Sequence, residues 1–453
     1  MTYRRIIAAR KETAAMERDI MTNLELWKTS AHRKPLVMKG LRQVGKTWVL
    51  KEFGARHYTD VAYFNFDEHA DLSKLFESTK DVARLIDNLA MLHGKPIVPG
   101  KTLLIFDEIQ ESNAALNSLK YFQENAPGQH LVCAGSLLGI TLSKPASFPV
   151  GKVNSLTLHP MSFHEFLKAN GDMNLADYLR QVDRIDTLPE IFFNPLLERL
   201  KMYFVTGGMP EPVRSWAEER DVGLVQEALK SLLDAYALDF SKHAPVKDIP
   251  KLDMLWTSIP SQLSRENKKF LYGAIKPGAR AREYEDSLNW LKEAGLVHKV
   301  YRCSKPGLPL SAYEDLSAFK LYAADVGILR RLARLDPSAF GDGTRLFTEF
   351  RGALTENFVL QGLVRLYDAT PHYWSSGGQA EVDFLIQKGN EIIPVEIKSD
   401  INVRSRSLAL YGEKYSAATR FKLRFSLRNL RKDGDILNIP LFMIDEVDRL
   451  LSM

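Results

Sequence analysis

Cysteine is scarce in this sequence. The 453 residues include two, Cys133 and Cys303, too few and too far apart for a disulfide framework or a cysteine-rich zinc site. A reducing, cytoplasmic setting is expected. Long apolar runs are also missing, and nothing approaches the roughly 18–20 residues of a membrane helix. The first twenty residues are charged throughout, with no apolar stretch of signal-peptide length. Charge of one sign is nearly absent too: 61 Lys and Arg against 56 Asp and Glu leave a net +5, which permits nucleic-acid contact without requiring it. There is no internal repeat and no low-complexity tract. What remains is the composition of an ordinary globular protein, 45% hydrophobic and 26% charged. Its length calls for two or three domains.

Residues 1–33 read as a charged helical segment without identifiable chemistry. From Pro35 the pattern alternates. Short apolar runs at 36–38, 61–66, 102–106, 130–134 and 153–158 are separated by helical stretches, predicting a mostly parallel α/β sheet with helices on both faces. Helical spacing dominates from Phe163 to about residue 238. The stretch PVKDIPKLD (245–253) reads as a linker. Residues 254–303 carry helices and then VHKVYRC, the outline of a small winged-helix unit. Strand patterns return at 372–374, 381–387, 391–398 and 439–444. The boundaries this suggests are 34–165, 166–245, 246–315 and 316–453.

Gly40-Leu41-Arg42-Gln43-Val44-Gly45-Lys46-Thr47 satisfies G-x-x-x-x-G-K-[ST] at every fixed position, between a strand and a helix. Glycines let backbone N–H groups wrap a phosphate chain at the positive end of the following helix. Lys46 is placed to reach the β- and γ-phosphates of ATP, and the Thr47 hydroxyl to ligate Mg2+. A chance Gly-Lys-Thr turn is the competing explanation. It loses ground at Thr102–Phe106, a buried-strand run ending in Asp107-Glu108. Asp107 can hold the magnesium and Glu108 can activate the attacking water. A helix cap is the plainer role for that pair. The strand HLVCA ends in Gly135-Ser136, where Ser136 can sit near the γ-phosphate or simply form a turn.

The stretches GLRQVGKT, LLIFDEIQE, AGSLLG, LTLHPMSFHEF, YFVTGGMPEPV, FKLYAADVGIL, ENFV, EVDFLI and PVEIK together resemble the AAA-type ATP-binding proteins of bacteria and archaea that carry a C-terminal domain of unknown function. The resemblance runs from about residue 35 to 400. It implies an ATPase core, a helical lid, a winged-helix-like segment and a restriction-endonuclease-like end domain. Where relatives usually read Gly-Arg this chain has Gly151-Lys152. If that arginine stabilises transition-state charge, Lys152 supplies charge without the bidentate fork. Such relatives often form homo-oligomers that borrow an arginine from a neighbour; no residue here can be assigned that part.

Near the C-terminal end, Glu356, Asp383 and Glu396-Ile397-Lys398 follow the pattern of PD-(D/E)XK nucleases. Alternation along a strand puts Glu396 and Lys398 on one face. Carboxylates there would hold magnesium against a scissile phosphate, with the lysine orienting water. The same residues also suit a solvated sheet face with cross-strand charge pairs, and fold does not settle function.

Residues 401–433 hold nine basic residues (Arg404, Arg406, Lys414, Arg420, Lys422, Arg424, Arg428, Arg431, Lys432) against Glu413 and Asp433. Arg265, Lys268, Lys269, Lys276, Arg280 and Arg282 form a second cluster. Such clusters suit the phosphate backbone of DNA, or a solvated helical face. His57, His69 and His159 have no metal-ligand spacing. Asp67-Glu68 reads as a cap. Gly207-Gly208-Met209-Pro210-Glu211 reads as a turn needing positive φ. Two functions follow: an ATP-driven enzyme acting on DNA through the end domain, or a nucleotide-switched regulatory protein whose nuclease-like domain is inactive.

Overall fold

The structure, a computed structural model, describes residues 16–136, 138–142, 151–266, 268–340, 348–377, 380–399, 406–415, 419 and 421–453. Residues 1–15 of the charged N-terminal segment lie outside these residues, as do Arg404 and Arg420 of the basic run. The chain divides into two compact units. One comprises Arg18–His159 with Glu293–Leu296; the other is built chiefly of Pro160–Lys292 and Val297–Met453.

In the first unit the alternating pattern becomes a five-stranded parallel sheet in the order β2-β3-β4-β1-β5. The strands are β1 (Leu36–Lys39), β2 (Asp60–Asn65), β3 (Thr102–Asp107), β4 (His130–Ala134) and β5 (Asn154–Thr157). Helices cover a parallel sheet on both faces, so its inner strands read as unbroken apolar runs. β3 is buried at all six positions and β4 at all five. Phe106 anchors the core, with the rings of Phe64, Phe66, Phe76 and Phe122 at centroid distances of 5.5–6.2 Å. The order of strands leaves β1 between β4 and β5. The ends of β1, β3 and β4 therefore open side by side.

The second unit begins with helices Phe163–Ala169, Met173–Gln181, Glu190–Thr206, Pro210–Glu219 and Val222–His243, where helical spacing was expected. The stretch read as a linker is instead helical. A 3-10 turn at Val246–Asp248 runs into helix Ile249–Leu263. Its prolines mislead because Pro250 sits in the first turn, where a missing N–H costs nothing.

A mixed eight-stranded sheet follows, in the order β12-β13-β11-β10-β9-β8-β6-β7. Its strands are β6 (Val297–Cys303), β7 (Glu314–Ala323), β8 (His372–Ser375), β9 (Glu381–Lys388), β10 (Glu391–Ile397), β11 (Lys422–Ser426), β12 (Arg431–Asp433) and β13 (Ile436–Pro440). The VHKVYRC strand of the winged-helix outline is β6. It lies between β7 and β8 and so belongs to the same sheet as the C-terminal strands. Gly207 has φ +68°, as its turn requires, and Asp325 accepts from the Gly208 amide at 2.7 Å and the Ile328 amide at 3.0 Å. That turn is thus tied to the start of helix Val326–Leu332.

Candidate nucleotide site and C-terminal charge cluster

The loop joining β1 to helix Lys46–His57 has the backbone a phosphate cradle needs. Gly40 (φ +146°), Gln43 (φ +63°) and Gly45 (φ +98°) all take conformations that L side chains avoid. At Gly40 the demand is steric as well, since a Cβ there would lie 2.4 Å from the Leu158 carbonyl oxygen. Val44 is buried beneath the loop and Arg42 is half-buried. Lys46 is buried, and its ammonium donates to the carbonyls of Gly40 (2.9 Å) and Leu41 (2.7 Å). The loop is thus folded around its own lysine.

Asp107, buried at the end of β3, meets this loop directly. Its Oδ2 accepts from the Thr47 hydroxyl at 2.7 Å and the Tyr63 phenol at 2.9 Å, and its Oδ1 from the Glu108 amide at 3.1 Å. Burial, then the Asp107 charge, pushes the Tyr63 phenol above its ordinary pKa, which keeps it protonated as a donor. Thr47 and Asp107 are hard oxygen donors of the kind magnesium takes, and they converge beside the cradle, so these residues fit a magnesium-bound triphosphate.

Glu108 follows in a left-handed conformation (φ +49°). Its Oε1 accepts from the Ser136 hydroxyl at 3.1 Å. Its Oε2 accepts from Gln110 Nε2 at 2.6 Å and the Ser136 amide at 3.3 Å. The three sequence candidates at this end of the sheet, Asp107, Glu108 and Ser136, are therefore one hydrogen-bonded group. Lys152 ion-pairs with Glu124 at 2.8 Å.

Two residues here escaped sequence reading. Arg18 donates to the Val44 carbonyl at 2.9 Å and the His159 carbonyl at 2.6 Å, bracing the loop from a segment with no motif. Gln110 lies next to one, yet no spacing rule assigns it chemistry.

Residues 32–167 match the family model described as AAA domain. The chain carries an AAA domain. Two further matches follow it: Domain of unknown function (DUF8612) over residues 197–339, and Domain of unknown function (DUF4143) over residues 351–442. No curated protein matches the chain. Solved structures similar to it include a Walker-type ATPase of Pyrococcus abyssi (16% identity, 70% of this chain and 96% of that one, TM-score 0.45). Aeropyrum pernix Orc1 in complex with DNA is another (12% identity, 72% and 92%, TM-score 0.29). The Thermotoga maritima RuvB Holliday junction branch migration motor is a third (13% identity, 63% and 89%, TM-score 0.29). The residues matched as AAA domain span all five strands of the parallel sheet and the loop after β1.

In the second unit the C-terminal carboxylates are all engaged. Glu356, on helix Thr348–Tyr367, binds the Lys268 ammonium and accepts from the Tyr322 hydroxyl at 2.9 Å. Lys320, fully buried on β7, pairs with Glu381. Burial opposes the charge on Glu356, but Lys268 and Lys320 outweigh it and hold this carboxyl below its ordinary pKa. Asp383 goes the other way. Burial, then the Glu356 charge, lifts it to about 7, while its Oδ2 accepts from the Ile397 amide at 2.7 Å.

Glu396 pairs across the ladder with Arg424 on β11 (3.2 Å) and with Lys398 (3.2 Å). Arg424 also reaches Asn438 at 3.2 Å. Glu356 and Asp383 thus share one charge cluster, and Glu396 and Lys398 form an ion-paired row beside it. Among the described residues no three His, Cys, Asp or Glu side chains gather as metal ligands.

Four members of the basic clusters are occupied in the same way. Lys268 serves Glu356, Arg424 serves Glu396, Lys422 pairs with Asp435 (2.7 Å) and Arg431 with Asp433 (2.7 Å). No helix among the described residues is long and apolar enough to cross a membrane.

Proposed function

We propose that the AAA domain binds ATP with magnesium and hydrolyses it. The observation that carries this reading is the continuous set Thr47, Asp107, Glu108 and Ser136, joined by hydrogen bonds beside a loop whose backbone suits a phosphate chain and whose own carbonyls hold Lys46. The amides of residues 40–47 bind the phosphates, and Lys46 exchanges its carbonyl partners for phosphate oxygens. Thr47 and Asp107 hold the magnesium, which when bound offsets charge on the phosphate oxygens. Glu108 takes a proton from the attacking water, and Ser136 donates either to that carboxylate or to the terminal phosphate. Glu108→Gln tests the assignment. It should retain Mg-ATP binding and lose roughly 10²–10⁴ in turnover, the usual worth of a general base. Turnover equal to wild type would reject it.

For the end domain the observed pairing favours the second of the two functions, a nucleotide-controlled protein whose C-terminal sheet does not cleave DNA. Glu356 and Glu396 already hold Lys268 and Arg424, and a divalent cation would have to displace them. A plasmid-nicking assay with magnesium or manganese should show no cleavage. Nicking that disappears in Asp383→Ala would overturn this and restore the nuclease reading.

A further inference from the structure

Beside the nucleotide site stands a residue that neither the motif nor the proposed reaction uses. Gln110 lies two positions after Glu108, on the short 3-10 turn Ile109–Glu111 that leaves β3. Its amide donates to Glu108 Oε2 at 2.6 Å, shorter than the two bonds from Ser136. Its other end is unusual. Oε1 is buried with no hydrogen-bond partner among the described residues, and a buried acceptor left unpaired costs stability. Flipping the amide would not help, because it would set that oxygen against the Glu108 carboxylate.

The seat of this amide is Gly135, at the end of β4. A Cβ there would come 1.9 Å from Gln110 Oε1 and 3.1 Å from Gln110 Cδ. Gly135 is not among the positive-φ residues, so its backbone would accept alanine, and the objection is the space held chiefly by Gln110 and, at 2.9 Å, by Leu138 Cγ.

We infer that Gln110 is the positioning residue for Glu108, held at its working angle because Gly135 has no side chain. The inference rests on the reading of Glu108 as the base. Glu108 sits on a left-handed residue at a strand end, where rotamer preference alone fixes its carboxylate poorly. Ser136 binds both of its oxygens, through amide and hydroxyl, and is also the group closest in role to the terminal phosphate. Gln110 holds Oε2 independently of the Ser136 hydroxyl on Oε1, so Glu108 keeps its aim when that hydroxyl turns to phosphate. The cost of the orphaned oxygen is explained by this task, since an apolar side chain on that turn would carry no such penalty.

The test compares kcat, KM for ATP and the Mg-ATP dissociation constant in wild type, Gln110→Ala, Gln110→Glu, Gly135→Ala and the Gln110→Ala/Gly135→Ala pair, with Glu108→Gln as reference. Gln110→Ala and Gly135→Ala should each lower kcat about tenfold or more while leaving Mg-ATP affinity within a factor of about two, since small misplacements of catalytic groups act on rate. The double variant should lose clearly less than the product of the two single losses, because both act through the Gln110 contact and only the Leu138 contact is left to Gly135→Ala alone. Gln110→Glu, equal in size, serves if the alanine variant does not fold. By setting a second carboxylate beside the first it should move the acid limb of the kcat profile to higher pH.

A Gln110→Ala enzyme with wild-type kcat overturns the inference, as does one that loses Mg-ATP affinity as much as kcat. If Glu108→Gln turns over like wild type, it is the assignment of the base that fails, whatever Gln110 does.

Discussion

Thr47 and Asp107, sixty positions apart in sequence, are joined by a 2.7 Å hydrogen bond between hydroxyl and carboxylate. The bond ties the first turn of the helix after the loop to the end of β3, and it sets the two oxygens proposed to hold magnesium side by side. If both hold the magnesium, as proposed, their loss should be specific to the metal. Thr47→Ala is expected to weaken Mg-ATP binding about tenfold, the worth of one hydrogen bond to a charged group, and to leave magnesium-free ATP binding nearly unchanged. Calorimetry with and without magnesium checks this; equal weakening in both would place Thr47 on the phosphates.

Lys46 presents a different dependence. Its ammonium is buried against the carbonyls of Gly40 and Leu41, so nucleotide must compete with the loop for it. Lys46→Met removes the phosphate contact and also the internal one. Affinity for ATP should fall by about ten- to a hundredfold with or without magnesium. The melting temperature without nucleotide should drop only slightly, since methionine keeps the packing of the lysine's apolar stem. A large drop in melting temperature would show the lysine to be a structural clamp instead.

Sequence reading succeeded where the determinants are local. The cradle, its strand and its helix occupy consecutive residues, and a strand buried on both faces writes itself as an apolar run, as TLLIF does. It failed where a side chain is defined by a distant partner. Nothing around Arg18 marks it as a brace for Val44, and nothing around Lys268 announces Glu356, 88 positions later. The run counted as a basic patch contains Arg424, buried on β11 and matched to Glu396 by strand register rather than by sequence distance. Charge counting treats every basic residue as solvent-facing, and a sheet that lines up carboxylates with guanidinium groups defeats it.

The Lys268–Glu356 contact should matter for stability. Both groups are largely buried, and breaking such a pair from one side leaves an uncompensated charge, typically at a cost of about 3–5 kcal/mol. Glu356→Leu should therefore lower the unfolding free energy of this unit by an amount near that range. Adding Lys268→Met to it should recover part of the loss, because the stranded ammonium is gone. Chemical denaturation of the four proteins of the cycle measures this. Strictly additive losses would mean the two residues do not communicate.

Asp383 gives the unit a pH dependence of definite sign. Its carboxyl titrates near 3.8 when unperturbed and at about 7 in the folded chain, raised by burial and then by the charge on Glu356. Below about pH 4 folded and unfolded chains both hold the proton, so Asp383 contributes its full share of stability there. Between about pH 4 and pH 7 the unfolded chain releases that proton while the folded chain keeps it, and stability falls as pH rises. Above about pH 7 both are ionised and the dependence ends. Asp383→Asn carries no titrating group, so its stability relative to wild type should grow from about pH 4 to about pH 7 and then level off. In a Glu356→Gln background the same comparison should reach its plateau at lower pH, because the second-largest cause of the shift has been removed. Denaturation curves at several pH values read both effects. A difference between wild type and Asp383→Asn that stays constant across this range would mean that Asp383 is ionised throughout, and that the neighbouring lysines outweigh burial at its site as they do at Glu356.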